Sequence, residues 1–262
     1  MIGGALLLAA CSGDEDIQPR YVERPVEELY NEALDAIQQE EYKQAAPLFN
    51  EVERQHPYSQ WATKAQLMSA YSLYMSNQYD DAIIGLERYI QLHPSNDDVA
   101  YAHYLKALSH YEQITDVTRD QEKTRLARVA LEEVIARFPD SRYAKDARVK
   151  LDLAFDHLAG KEMEIGRFEL GRKNYLAAIN RFKRVIELYQ TTTHVPEALH
   201  RMTEAYLALG LENEAQKAAS VLGYNFPGSD WYEDSYALLG GKRVSHEGAP
   251  APKGDESWYK FW

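Results

Sequence analysis

The chain has 262 residues, a net charge of −12 at pH 7, 45% hydrophobic residues and one cysteine. The acidic balance excludes a nucleic-acid binder, which needs a basic face, and a single cysteine excludes an intrachain disulfide. Ala, Leu, Glu, Gln and Lys dominate and apolar residues recur at the helical period in nearly every segment, so the predicted fold class is all-α.

The first element is the apolar run MIGGALLLAA, residues 1–10, which ends at Cys11. It is too short to span a bilayer, which takes about 20 residues, and is predicted to be the end of a signal-peptide h-region. Leu8-Ala9-Ala10-Cys11 resembles a bacterial lipobox, in which small residues admit the signal peptidase and the thiol takes a diacylglyceryl group. Cys11 is therefore the candidate lipidation residue, and a covalent lipid is the one non-protein group expected. No Lys or Arg precedes the run, so the true start is expected upstream of Met1. The competing reading, a buried segment with a free thiol, is disfavoured by the acidic, proline-containing stretch that follows at once. Serine after the cysteine, Ser12, matches lipoproteins exported to the outer membrane. Residues 11–24 read as lipid anchor and flexible tether.

From Pro25, predicted as the first helical residue because its missing N–H costs nothing there, one spacing recurs. It appears as Tyr42, Ala45, Phe49, Val52, Pro57; as Tyr79, Ala82, Leu86, Tyr89, Pro94; and as Ala127, Leu131, Val134, Pro139. Tyr175, Ala178, Phe182, Val185 repeat it with Gln190 in the proline's place, and Ala215, Ala219, Leu222, Pro227 close the series. A small residue where two helices touch, large residues along the seam and a terminal proline resemble the second half of a tetratricopeptide unit. The expected architecture is a superhelical array of about five tetratricopeptide-like helix pairs. Ser or Asn two residues after each proline (Ser59, Asn96, Ser141, Ser229) is predicted to cap the next helix. The step of 45 residues from Pro94 to Pro139 exceeds the ordinary period of about 34, which predicts an insertion at Ile114–Thr124. Residues 25–142 are assigned to repeats one to three and 143–239 to repeats four and five.

The charge divides at the same place: 13 Lys/Arg against 24 Asp/Glu in residues 1–142, 16 against 17 in residues 143–262. Different partners for the two halves are expected, or more plainly a solvated acidic surface on the first. With Ala70 and Ala107 as the small contact residues of repeats two and three, Tyr71, Tyr74, Tyr101, Tyr104 and Tyr111 fall on the concave face. Rings with polar tips suit a surface that grips a peptide; the plainer alternative is packing between repeats. No enzyme is expected: His103 and His110 lie two helical turns apart without a zinc-site pattern, and no phosphate loop or serine elbow is present.

The segments LHPSNDDVAYAHYLKAL (Leu92–Leu108) and KEMEIGRFELGRKNYLAAINRFKRVIE (Lys161–Glu187), with the lipobox and the repeats, resemble the BamD family of outer-membrane assembly lipoproteins. The resemblance implies a non-enzymatic subunit on the periplasmic face of the outer membrane, anchored through its lipid. It implies contact with the POTRA domain of the barrel subunit BamA through the C-terminal repeats, with other Bam lipoproteins, and with the C-terminal signals of unfolded barrels at the N-terminal repeats. Arg181 stands where the family presents an arginine to an acidic POTRA residue; Arg184 is one helical turn away, with Arg172 and Lys173 near it in the most basic stretch. The C-terminal tail departs from the family. Residues 240–256 read as a flexible linker, and Trp258, Tyr259, Phe261 and Trp262 as a docking cluster for a partner groove or the chain's own concave face. The alternatives are another periplasmic tetratricopeptide scaffold coordinating cell-wall and envelope processes and, from a different class, a lytic transglycosylase, for which no catalytic domain has room.

Overall fold

A computed structural model describes residues 23–240, and among these every regular element is an α-helix. Five antiparallel pairs follow one another: α1 (Val26–Gln38) with α2 (Tyr42–Gln55), α3 (Gln60–Met75) with α4 (Tyr79–Leu92), and α5 (Val99–Tyr111) with α6 (Glu122–Arg137). Next come α7 (Arg142–Gly171) with α8 (Tyr175–Leu188), and α9 (Val195–Ala208) with α10 (Glu212–Asn225), before a single closing helix, α11 (Asp230–Leu238). Each helix packs on the next, and the first helices of successive pairs also touch, so they form one continuous inner layer. The expected array of about five tetratricopeptide-like pairs is what the chain forms.

Local sequence sets both kinds of turn. Between pairs, His56, His93, Phe138, Tyr189 and Phe226 share one backbone conformation, with φ from −128° to −134° and ψ from 46° to 58°. Tyr189 adopts it although Gln190 replaces the proline, so the proline favours this turn without being required for it. Ser59, Ser141 and Ser229 accept from Ala62, Ala144 and Tyr232 N–H and cap the next helix as expected. Asn96 does not: α5 begins at Val99, and the Asn96 carboxamide oxygen accepts instead from Asp98 N–H and the Tyr89 hydroxyl, pinning the preceding helix to the turn. Pro25 is the residue before the first helical one. Within four of the pairs the first helix ends on a left-handed residue, Glu40, Asn77, Lys173 or Gly210, at φ +59° to +73°. There the paired 6→1 and 5→2 backbone bonds of a Schellman motif form, as Gln78 N–H to Leu73 O and Asn77 N–H to Tyr74 O show.

The recurrent apolar frame forms the core. Ala45, Phe49 and Val52 in α2, and their counterparts through Ala215, Ala219 and Leu222 in α10, are all 1% exposed or less. Burial of each large side chain contributes about 1.5–3 kcal/mol, and the alanines allow the helix backbones to approach. Glycine is required where approach is tightest: a Cβ on Gly166 would lie 2.4 Å from Phe182 Cε1, and one on Gly223 2.4 Å from Tyr232 Cε2.

The expected division at residue 142 lies at the start of α7, one residue past its cap Ser141. Helix α7 has 30 residues, about 45 Å at 1.5 Å per residue, and serves both halves. Its N-terminal part stacks on α5, with Tyr143 against Tyr101 and Tyr104, while its C-terminal part contributes Ala159 and Met163 to the core shared with α8 and α9. The predicted insertion occupies residues 112–121 and braces the middle of this helix; Thr124, assigned to the loop, is helical and buried. Lys161 Nζ donates to Thr118 O at 2.8 Å, and a Cβ on Gly160 would meet Val117 Cγ1 at 3.3 Å.

Candidate functional site

Three inner helices build a tyrosine face. Tyr71 and Tyr74 come from α3, Tyr101, Tyr104 and Tyr111 from α5, and all five are half-buried against the cores of repeats two and three. The packing reading of these rings therefore holds in part, since each ring has one side in the core and keeps an exposed remainder. The rings interlock across repeats: Tyr101 lies 5.5 Å and Tyr104 5.2 Å from Tyr143 of α7, the latter pair stacked. Tyr143, and Tyr42 and Tyr79 that edge onto Tyr71 and Tyr74, were not foreseen. Tyr143 follows the capping Ser141 by two residues, and starting the repeat-four frame at that cap would have found it.

The hydroxyls are oriented by carboxylates. Tyr104 donates to Asp146 at 2.5 Å and Tyr74 to Glu112 at 3.4 Å. Burial, then the nearby Glu112 carboxylate, pushes the Tyr74 phenol up to about 12; burial, then neighbouring rings, does the same at Tyr101. Burial and the bond to Asp146 raise Tyr104 further. At neutral pH Tyr74, Tyr101 and Tyr104 are therefore neutral phenols, and two of their hydroxyls, those of Tyr74 and Tyr104, are held by carboxylates. Two cations border the face: Lys150 Nζ stands 5.1 Å over the Tyr111 ring and the Arg142 guanidinium 4.9 Å over Tyr143. Such a surface stacks aromatic side chains and offers charges of both signs to an extended peptide.

The basic stretch of α8 is arranged differently. Arg181 and Arg184 are brought together, both on Glu162 of α7, at 3.1 Å and 3.3 Å. The Glu162 side chain is 11% exposed while the arginines are 39% and 52% exposed, so the carboxylate is committed inside and each fork keeps free edges. Arg172 and Lys173 sit in the turn before α8 instead. Arg172 covers the exposed Phe168 ring at 5.2 Å, and Lys173 is a left-handed turn residue with φ +64°. Sequence reasoning missed the neighbouring ladder, in which Arg167 of α7 binds Glu197 of α9 at 2.7 Å and 2.5 Å. Arg201 lies 3.5 Å from Glu197 and over the Trp231 ring at 5.3 Å. Burial opposes ionisation of Glu197, but Arg167 and Arg201 outweigh it and hold the carboxyl below the usual range.

The histidines serve the fold. His93 packs at a tilt against Tyr89, with ring centres 5.1 Å apart, and bonds Gln66, and His56 bonds Arg24 O. Among the described residues no group of three or more His, Cys, Asp or Glu is placed to hold a metal, and no helix is long and apolar enough to cross a membrane. Cys11 and the cluster Trp258, Tyr259, Phe261 and Trp262 lie outside the described residues.

Stacked helix pairs with an aromatic inner face and an arginine-bearing outer helix define a tetratricopeptide-type scaffold. The chain belongs to the YfiO family of outer membrane lipoproteins, whose model matches residues 22–222. It is 51% identical over 237 residues to the outer membrane protein assembly factor BamD of Caulobacter vibrioides, covering 90% of this chain and 77% of the relative. It is 49% identical over 234 residues to that of Rickettsia prowazekii, covering 89% and 92%. Among solved structures, the TPR domain of P58(IPK) aligns over 81% of this chain and 55% of that chain, with a TM-score of 0.43 and 14% identity.

Proposed function

We propose that this chain is a non-catalytic lipoprotein subunit of the machinery that inserts β-barrel proteins into the outer membrane, acting on the periplasmic face and anchored through Cys11. Its sequence likeness to proteins named outer membrane protein assembly factor carries the reading. The tyrosine face supports a division of labour: repeats two and three receive the extended, aromatic-ended signal of an unfolded barrel, rings stacking on rings and hydroxyls bonding the exposed backbone. The exposed edges of Arg181 and Arg184 take an acidic residue of the BamA POTRA region, since a guanidinium already holding one carboxylate keeps N–H donors for a second. Further Bam lipoproteins share the complex.

The test is a mild-detergent pull-down of tagged protein from its own membranes, with partners identified by mass spectrometry. A barrel protein with POTRA domains recovered near one to one supports the reading; recovery of cell-wall synthases in its place overturns it. An Arg181→Ala, Arg184→Ala variant should lose most of that partner. Because Glu162 then stands unpaired, the melting temperature is measured alongside, and undiminished recovery from a folded variant refutes the arginine contact.

A further inference from the structure

We infer that residues 257–262, SWYKFW, are an intramolecular ligand of the tyrosine face, occupying in cis the groove that substrate peptides must enter. The inference rests on the peptide-binding reading above and adds to it a competitor built into the chain.

Chemistry comes first. Trp258, Tyr259, Phe261 and Trp262 place four aromatic side chains within five residues, and the face offers a ring cluster to meet them, with Tyr143 5.5 Å from Tyr101 and 5.2 Å from Tyr104. Aromatic rings attract one another beyond the area they bury, through offset and edge-to-face contacts. The charges are complementary in both senses. Lys260 lies inside the cluster and Asp255 and Glu256 just before it; the face carries Asp146 and Glu112 at the hydroxyls of Tyr104 and Tyr74, with Lys150 and Arg142 over neighbouring rings.

Reach comes second. Residues 241–257 amount to 17 residues rich in Gly, Pro and charge, a span of about 56–61 Å when extended at 3.3–3.6 Å per residue. Helix α11 packs on α9, and α9 on α7. These helices run in the same sense, since Gly160 of α7 lies by His194 and Arg167 binds Glu197 further along α9. From the C-terminal end of α7 back to Lys150 is about 32 Å along the axis, and two helix-to-helix steps add about 16–20 Å sideways. The separation of about 35–40 Å lies within the tether's span. Held this way, the tail competes at an effective concentration on the order of millimolar, enough to screen out weak ligands and yield to stronger ones.

The experiment uses the full chain and a chain truncated after Glu256, with a fluorescent SWYKFW peptide as probe. The truncated chain should bind the probe at least about tenfold more tightly than the full chain, as expected from removing a tethered competitor. Tyr104→Ala with Tyr143→Ala in the truncated chain should abolish binding; if that variant melts early, Tyr104→Phe and a probe carrying Lys260→Glu test the same face without disturbing its packing. Equal affinity for full and truncated chains, or no binding to the truncated chain, overturns the inference. A full-length dimer by light scattering that becomes monomeric on truncation also overturns it, since the tail would then seat in a second copy. Truncated protein that recovers its barrel partner from membranes yet ignores the probe loses this inference and keeps the assembly reading.

Discussion

The first three repeats and the last two are built from the same helix pairs, yet they are held together differently. In the N-terminal half the buried residues fall into three separate clusters, one per repeat, joined across the inner layer by half-buried tyrosines. From Ala159 to Leu222 they form one core that also takes in Trp231 and Tyr232 of α11, tightened by glycines and flanked by ion pairs whose carboxylates are mostly buried and whose arginines are exposed. In a repeat array stability is a sum of local units and the interfaces between neighbours. A divided core with ring contacts between units can adjust its spacing to a ligand, whereas a shared core with close backbone crossings acts as a rigid mount. The difference is consistent with the division of labour proposed above.

The comparison is most exposed at two equivalent side chains, Phe49 and Phe182, both fully buried. Either change to alanine should cost about 3–5 kcal/mol. Hydrogen exchange should show protection lost from α7 through α11 in Phe182→Ala, but confined to α1–α3 in Phe49→Ala; whole-chain loss in both would erase the distinction. Next in size, Gly166→Ala drives a methyl into the Phe182 ring, 2.4 Å away. It should destabilise by about 1–3 kcal/mol by overpacking, visible as a lower midpoint in urea.

Protonation tests both halves at once. Burial depresses the imidazole pKa of His103 in repeat three and of His200 in repeat five. His103 has no hydrogen-bond partner at either ring nitrogen, while His200 Nδ1 meets Ser235 Oγ of α11 at 2.9 Å. A base whose folded pKa lies below its unfolded value of about 6.5 contributes full stability above that value and loses it as pH falls toward the folded one. Unfolding between pH 7.5 and 5 should therefore become easier with acid; His103→Gln should flatten the trend in exchange from α5 and α6, and His200→Gln in exchange from α9 and α11. A trend unchanged by either variant assigns the acid sensitivity elsewhere. The smallest effects belong to the turns. Glu40→Gly and Lys173→Gly relieve left-handed backbone and should each stabilise by about 0.5–1 kcal/mol. If Lys173 acts only as a turn residue, its glycine variant recovers the barrel partner undiminished.

Much of this was legible in the residues because the decisive information is local. Helical period, the alanine-spaced seam, three of four serine or asparagine caps and the insertion before Glu122 all follow from neighbours in sequence, and the five foreseen tyrosines share one face because the helical repeat places them there. The fate of Asn96 was not legible, since its partner choice depends on Tyr89 arriving from the preceding helix. Nor was the left-handed role of Glu40 and Lys173, where glycine is the usual signal and the backbone bonds of the turn dictate the conformation instead.

The class, the number of helix pairs, their seams and most of the aromatic face follow from the residues alone, because amphipathic period and turn chemistry are short-range properties. Long-range packing added that α7 extends for 30 residues and links the core of repeat three to that of repeats four and five, that Tyr143 completes the face, and that Glu162 gathers Arg181 and Arg184. Those facts depend on which distant surfaces meet, and a helix of that length persists when neighbours along it bury it, as the 112–121 loop and α8 do for α7.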